Sequence, residues 1–162
     1  MNTRVFTPLL SLAAIFLVAG GCADAQKRSY AVEVKNESRM PVTVWLTKDG
    51  PVYEDKWKSP EDLAIETRRA GEMIAGVVVP PGKTASVGPL EGKFAPYSNA
   101  ILRVYVGQHN FSELLAISKG APDRRDLELT QGRNSFQVVD RNGIMLVERT
   151  GAPMSMSTDA PK

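Results

Sequence analysis

One cysteine, one histidine and almost no net charge set the first limits on this chain of 162 residues. A single thiol, Cys22, excludes an intramolecular disulfide, a cysteine-based zinc site and a CxxC redox pair. A single histidine, His109, excludes the zinc sites built from several His or Cys ligands, and any Ser-His-Asp or Cys-His arrangement would have to use it. With 20 Lys and Arg against 18 Asp and Glu, a formal charge of +2 gives no electrostatic footprint for nucleic acid. No apolar run approaches the roughly 20 residues of a membrane-spanning helix. The longest, Val5–Ala19, follows a short segment carrying Arg4 and has the length of a signal-peptide h-region.

That run ends in Val18-Ala19-Gly20-Gly21-Cys22. The segment resembles the lipobox of bacterial lipoproteins, although Ala19 stands where that family usually has Leu. The resemblance implies that Ala19, Gly20 and Gly21 are the small residues before signal cleavage. It further implies that Cys22 becomes the first mature residue and carries the lipid. Ala23 rather than Asp after the cysteine implies the outer membrane, facing the periplasm or the exterior. The resemblance covers residues 1–22 only. The residues agree with it: small side chains precede the cut, and the only thiol follows directly. A single acyl chain holds a protein weakly, so the several chains of a lipoprotein are what would anchor it. Removing residues 1–21 removes Arg4 alone among the charges, leaving 141 residues with 19 − 18 = +1. Such a chain, without a free thiol once Cys22 is acylated, suits a compartment outside the cytoplasm.

Residues 22–28 are polar and read as a lipidated tether, residues 29–149 as the folded domain, and residues 150–162, without periodicity, as a disordered tail. Ser29–Asn36 and Val42–Thr47 alternate with a period of two, which predicts strands with one buried face. Ser59 as cap, Pro60 at the first helical position and Glu61-Asp62 in the first turn predict a helix of about eleven residues. Its apolar stripe, Leu63, Thr67 and Ala70, is thin, so it is expected on the surface. Met73–Val79, Thr84–Leu90, Ala100–Val106, Glu113–Ser118 and Leu127–Thr130 are further short runs, with a charged loop at Asp123–Asp126. Ser135–Arg141, Asn142-Gly143 and Ile144–Glu148 predict a type I′ hairpin, because both turn residues accept positive φ. Seven to nine short, mainly antiparallel strands with one short surface helix predict an all-β fold, a β-sandwich. Asn36-Glu37-Ser38, Val44-Trp45-Leu46, Asp49-Gly50 and Pro81-Gly82 give a faint resemblance to the von Hippel-Lindau β domain, which supports a sandwich and transfers no function.

The motifs that suggest chemistry fail in turn. Gly82-Lys83-Thr84 looks like the end of a phosphate loop, but the required upstream glycine is Val77 and two prolines fill the loop, so no nucleotide is expected. His109 lies in the polar stretch Gly107-Gln108-His109-Asn110 and is expected to be solvated. Glu54-Asp55 and Glu61-Asp62 are adjacent pairs and do not oppose each other across a cleft as glycosidase carboxylates do. Asp140-Arg141-Asn142-Gly143 lacks the downstream bidentate Glu of a calcium loop. Asn36-Glu37-Ser38 and Asn110-Phe111-Ser112 match the glycosylation pattern, expected by chance in a bacterial chain. No catalytic residue, metal site or cofactor is expected.

The remaining candidate is an amphipathic patch. Trp45 stands among threonines on the nominally polar face of its strand, and Arg103 and Tyr105 lie opposite Leu102 and Val104. If the two strands are neighbours, Trp45, Arg103 and Tyr105 would offer a surface for a sugar or peptide. The competing expectation, that both faces of these strands are covered, is the favoured one. The sequence thus predicts a lipid-anchored, non-catalytic envelope protein that binds or scaffolds an envelope protein or glycan. A carbohydrate-binding module is the alternative, and a hydrolase with unrecognised residues comes third.

Overall fold

The structure, a computed structural model, describes residues 25–65, 76–110, 113–114 and 123–151. Cys22 with Ala19, Gly20 and Gly21, the second half of the expected helix and nearly all of the tail lie outside the described residues. Eight strands form: β1 (Gln26–Asn36), β2 (Val42–Lys48), β3 (Gly76–Val79), β4 (Thr84–Phe94), β5 (Ala100–Val106), β6 (Arg124–Glu128), β7 (Gly132–Arg141) and β8 (Ile144–Arg149). They make two four-stranded sheets, ordered β4-β1-β7-β8 and β3-β2-β5-β6, the all-β sandwich that the alternation predicts. Every pairing is antiparallel except β1 with β7.

The inward residues of both sheets build one core. Tyr30, Val32, Val34, Phe136 and Val138 come from the first sheet, and Val42, Val44, Leu46, Leu102 and Val104 from the second. β1 alternates in burial as a strand with one wet face should. β2 does not: six of its seven residues are buried. Thr43, Trp45 and Thr47 therefore face protein, not solvent.

Three boundaries differ from the sequence reading. β1 begins at Gln26, inside the stretch read as tether. β4 runs on through Gly88 and Pro89 to Phe94, because its pairing with β1 shifts register between Tyr30 and Val32. Gly88 is needed at that irregularity: its φ is +93°, and a Cβ would sit 2.6 Å from the Tyr30 carbonyl oxygen. β6 takes in Arg124-Arg125-Asp126, read as loop, as an edge strand, where charge protects against pairing with another chain. In the expected Glu113–Ser118 run, Glu113 and Leu114 are helical.

The register defines two ends. At one end Gln26 pairs with Phe94 and Lys48 with Ala100, bringing the loop after β2 (residues 49–53) beside the β4–β5 loop (residues 95–99). Asp49 N–H donates to the Asn99 carbonyl (3.1 Å) and Ala95 N–H to the Pro51 carbonyl (3.3 Å). At the opposite end Asn36 pairs with Val138, Val42 with Val106, and the Asn142-Gly143 turn closes the β7–β8 hairpin with φ of +57° and +77°. Asn36 is fully buried there. Its amide donates to the carbonyls of Met40 and Val79, both at 2.8 Å, and accepts from Ser38 N–H and Oγ–H. The first apparent sequon is a turn lock.

Candidate functional site

Trp45, Arg103 and Tyr105 do come together, but not as a surface. Trp45 pairs with Arg103 and Thr43 with Tyr105 across β2 and β5, so the side chains share the outer face of the second sheet. Trp45 is 0% exposed and Tyr105 2%. The segment between β2 and β3 folds back over them. It forms a 3-10 turn at Asp55–Trp57 and the short helix α1 at Pro60–Ile65. Trp45 Nε1–H donates to the Lys58 carbonyl at 3.0 Å, and Thr47 Oγ–H to the Trp57 carbonyl at 2.8 Å. The exposed aromatic strip that a sugar-binding face would need is therefore absent at these residues.

The helix start is built as its sequence predicts. Ser59 Oγ accepts from Asp62 N–H at 3.1 Å, and Asp62 accepts from Ser59 N–H at 2.9 Å, a reciprocal cap. That cap aims Glu61 at the sheet, where its carboxylate accepts hydrogen bonds from both Arg103 and Arg124. Asp126 lies 3.7 Å from Arg103 and 3.4 Å from Arg124. Two arginines and two carboxylates thus balance in a cluster that fastens α1 to β5 and β6. Burial would lower the Arg103 pKa, but Glu61, Tyr105 and Asp126 outweigh it and raise it. Burial, reinforced by Glu61, pushes the Tyr105 hydroxyl up. Tyr105 Oη and Arg103 Nε are buried without a well-formed hydrogen bond. The cluster is a clamp: its charges are neutralised by each other.

Sequence reasoning missed Trp57. It lies between two lysines yet is 1% exposed, packed edge-on against Tyr30 (5.8 Å between centroids) and Phe94 (5.2 Å). The described part of β3 begins at Gly76, opposite Trp45, and among the described residues the 3-10 turn is what adjoins β2 beyond that point. A lone aromatic in a polar stretch was the available signal. Nearby, the Lys48 ammonium, its side chain 3% exposed, donates to Glu54 and to the Lys93 carbonyl, each at 2.8 Å. Burial would raise the Glu54 pKa, but Lys48 and the Lys93 N–H together lower it.

His109 is not the solvated loop side chain expected. Its side chain is 22% exposed, Nε2 donates to the Val106 carbonyl at 2.6 Å, and Nδ1 lies 3.7 Å from the Glu113 carboxylate. The ring packs over Gly107, whose φ is +100° and whose Cβ would sit 3.2 Å from Nε2. Thr43 Oγ accepts from His109 N–H but donates to the Gly107 carbonyl, so it is held by backbone and not by the ring. A nucleophile–base pair needs the ring to face the hydroxyl; here both groups tie down the loop after β5.

A hollow of about 110 Å³ opens at the end of the sandwich away from Gln26, lined by Met40, Val42, Val106, Met145, Asp123 and Asp140 among others. Met40 and Ile144 beside it are about half exposed. Among the described residues no group of three or more His, Cys, Asp or Glu could hold a metal ion, and no helix is long and apolar enough to cross a membrane. No protein-family model matches the sequence, and no curated protein matches it.

Proposed function

We propose that this protein is a non-catalytic binding module of the bacterial cell envelope, anchored by lipid on Cys22 and directed to the outer membrane. The observation that carries the reading is spacing: Cys22, after Ala19-Gly20-Gly21, stands four residues before Gln26, where β1 begins. A lipid at that position holds the sandwich against the bilayer by one end and leaves the other free. The free end has the hollow lined by Met40 and Met145, and methionine adapts well to an apolar side chain of a partner protein. The experiment is metabolic labelling of the full chain with an alkyne fatty acid, followed by detergent phase partition, for wild type and Cys22→Ala. Label and detergent-phase recovery in wild type, both lost in Cys22→Ala, are expected. An unlabelled wild type recovered in the aqueous phase would overturn the reading.

A further inference from the structure

We infer that the end of the sandwich formed by the 49–53 and 95–99 loops rests in the headgroup layer of the bilayer, with Tyr53 and Tyr97 as its interfacial contacts; this inference rests on the lipid-anchored reading. The first ground is reach. Four residue steps separate Cys22 from Gln26, at most about 14 Å of extended chain. The polar layer on each side of a bilayer is itself about 5–8 Å thick. An acylated Cys22 lies in that layer, so the end of the domain carrying Gln26 is held within about 14 Å of it, and the loops beside Gln26 can reach it.

The second ground is what that end displays. Five large apolar or aromatic side chains are exposed among the described residues, and three of them, Val52, Tyr53 and Tyr97, lie on these two loops. Tyr97 is 101% exposed and Tyr53 80%. Tyr97 is held outward by its backbone, at a φ of +70° that an L residue adopts only at a cost. The loop is stitched in place around it. Ser98 N–H and Oγ–H both donate to the Ala95 carbonyl at 3.1 Å, and Arg28 donates to the Ser98 carbonyl at 3.2 Å. A fixed, solvent-directed ring gains nothing from the fold of its own domain. Tyrosine, with an apolar ring and a polar tip, is the residue type that settles at the headgroup level. Exposed Lys27 and Lys93 adjoin the loops; Lys27 is shared with Glu91, and Lys93 adds charge of the sign that anionic headgroups attract.

The test uses the full lipidated protein in vesicles of phosphatidylethanolamine and phosphatidylglycerol. Acylated Cys22 leaves no other thiol, so Tyr97→Cys and Ile144→Cys each give one site for an environment-sensitive fluorophore. Ile144 is also exposed, at 56%, and lies at the opposite end. Expected are a blue-shifted probe at position 97, quenched several-fold more by headgroup-depth nitroxide lipid than the probe at 144, and protected from aqueous iodide. Tyr53→Cys should behave as Tyr97→Cys, which guards against a local effect of one label. A vesicle-bound protein with equal, weak lipid quenching at 97 and 144 would overturn the orientation while leaving the anchor standing. A protein that carries no lipid and does not float with the vesicles would overturn the anchor and this inference with it.

Discussion

Trp57→Ala is the substitution that separates a domain closed by its long β2–β3 connection from a sandwich that merely carries a surface excursion. The indole is fully buried, meets Tyr30 and Phe94 edge-on, and donates from Nε1 to the Glu91 carbonyl at 3.1 Å. Truncating a buried tryptophan to alanine costs about 3–5 kcal/mol, transfer and cavity together. The site cannot collapse easily, because Tyr30 and Phe94 are themselves fixed by strand pairing. The upper half of that range, about 4 kcal/mol, is therefore expected. For a domain of about 125 residues this lowers Tm by about 15 °C, at about 2.1 cal/mol/K per residue. Trp57→Phe keeps most of the apolar volume and removes the donor, so about 1–2 kcal/mol is expected. Gly92→Ala attacks the same contact from the sheet, since a Cβ there would land on the indole nitrogen. Urea unfolding followed by far-ultraviolet circular dichroism measures all three, with Trp45 fluorescence as a second probe. A loss below about 1 kcal/mol for Trp57→Ala would refute the view that this segment completes the core.

Tyr105→Phe removes a buried hydroxyl that lacks a well-formed hydrogen bond, so it is expected to leave stability unchanged or raise it by about 1 kcal/mol at neutral pH. Because the Tyr105 pKa is raised on folding, its contribution is fully present below pH 10 and is lost as pH rises through the folded value; urea midpoints at alkaline pH should fall less in Tyr105→Phe than in wild type. Glu54 shows the opposite sign: its lowered pKa contributes stability above its ordinary value of 4.5, lost as pH falls through the folded value. Glu54→Gln should then cost roughly 1–2 kcal/mol at pH 7 and converge with wild type in acid, read from urea titrations at both pH values. His109→Ala should cost about 1–2 kcal/mol through the lost carbonyl contact and ring packing, against the few tenths of a solvated residue; equilibrium unfolding decides. Gly143→Val, at a φ of +77° with open space around the Cβ, should cost about 1–2 kcal/mol from backbone strain alone, measured by thermal unfolding.

The strands that alternate were legible, and the reason is physical. Ser29–Asn36 and Ser135–Arg141 have one buried and one wet face, so their pattern records the core directly. Asn142-Gly143 was legible because the turn demands positive φ. The rest was hidden by tertiary closure. A face-sharing set such as Trp45, Arg103 and Tyr105 can be found from spacing, but whether it is covered depends on where residues 49–65 return. Glu61 was read as a helix-dipole acid; only the fold places two arginines against it. The charged edge strand β6 looked like a loop because an edge is where charge is tolerated. Trp57 and Lys48 were missed because a lone aromatic or lysine in a polar stretch has no periodicity to betray its burial.

Closure of both faces of β2 also narrows where a binding surface can lie. The outer face of the second sheet is occupied by its own chain, and the Glu61 clamp holds that cover in place. The outer face of the first sheet stays wet, and the two ends of the sandwich differ in chemistry. One displays the exposed Tyr53 and Tyr97 on the loops beside the first residue of β1; the other has a methionine-lined hollow next to the Asn142-Gly143 turn. Chain connectivity decides between them, since only the tyrosine end lies within reach of Cys22. Under the anchored reading, anchor and partner do not compete for one surface. Cys22→Ala should therefore abolish detergent partition and leave the urea unfolding midpoint unchanged. If Cys22→Ala also destabilised the sandwich by more than about 1 kcal/mol, the stretch before Gln26 would be part of the fold, and the two ends would not act independently.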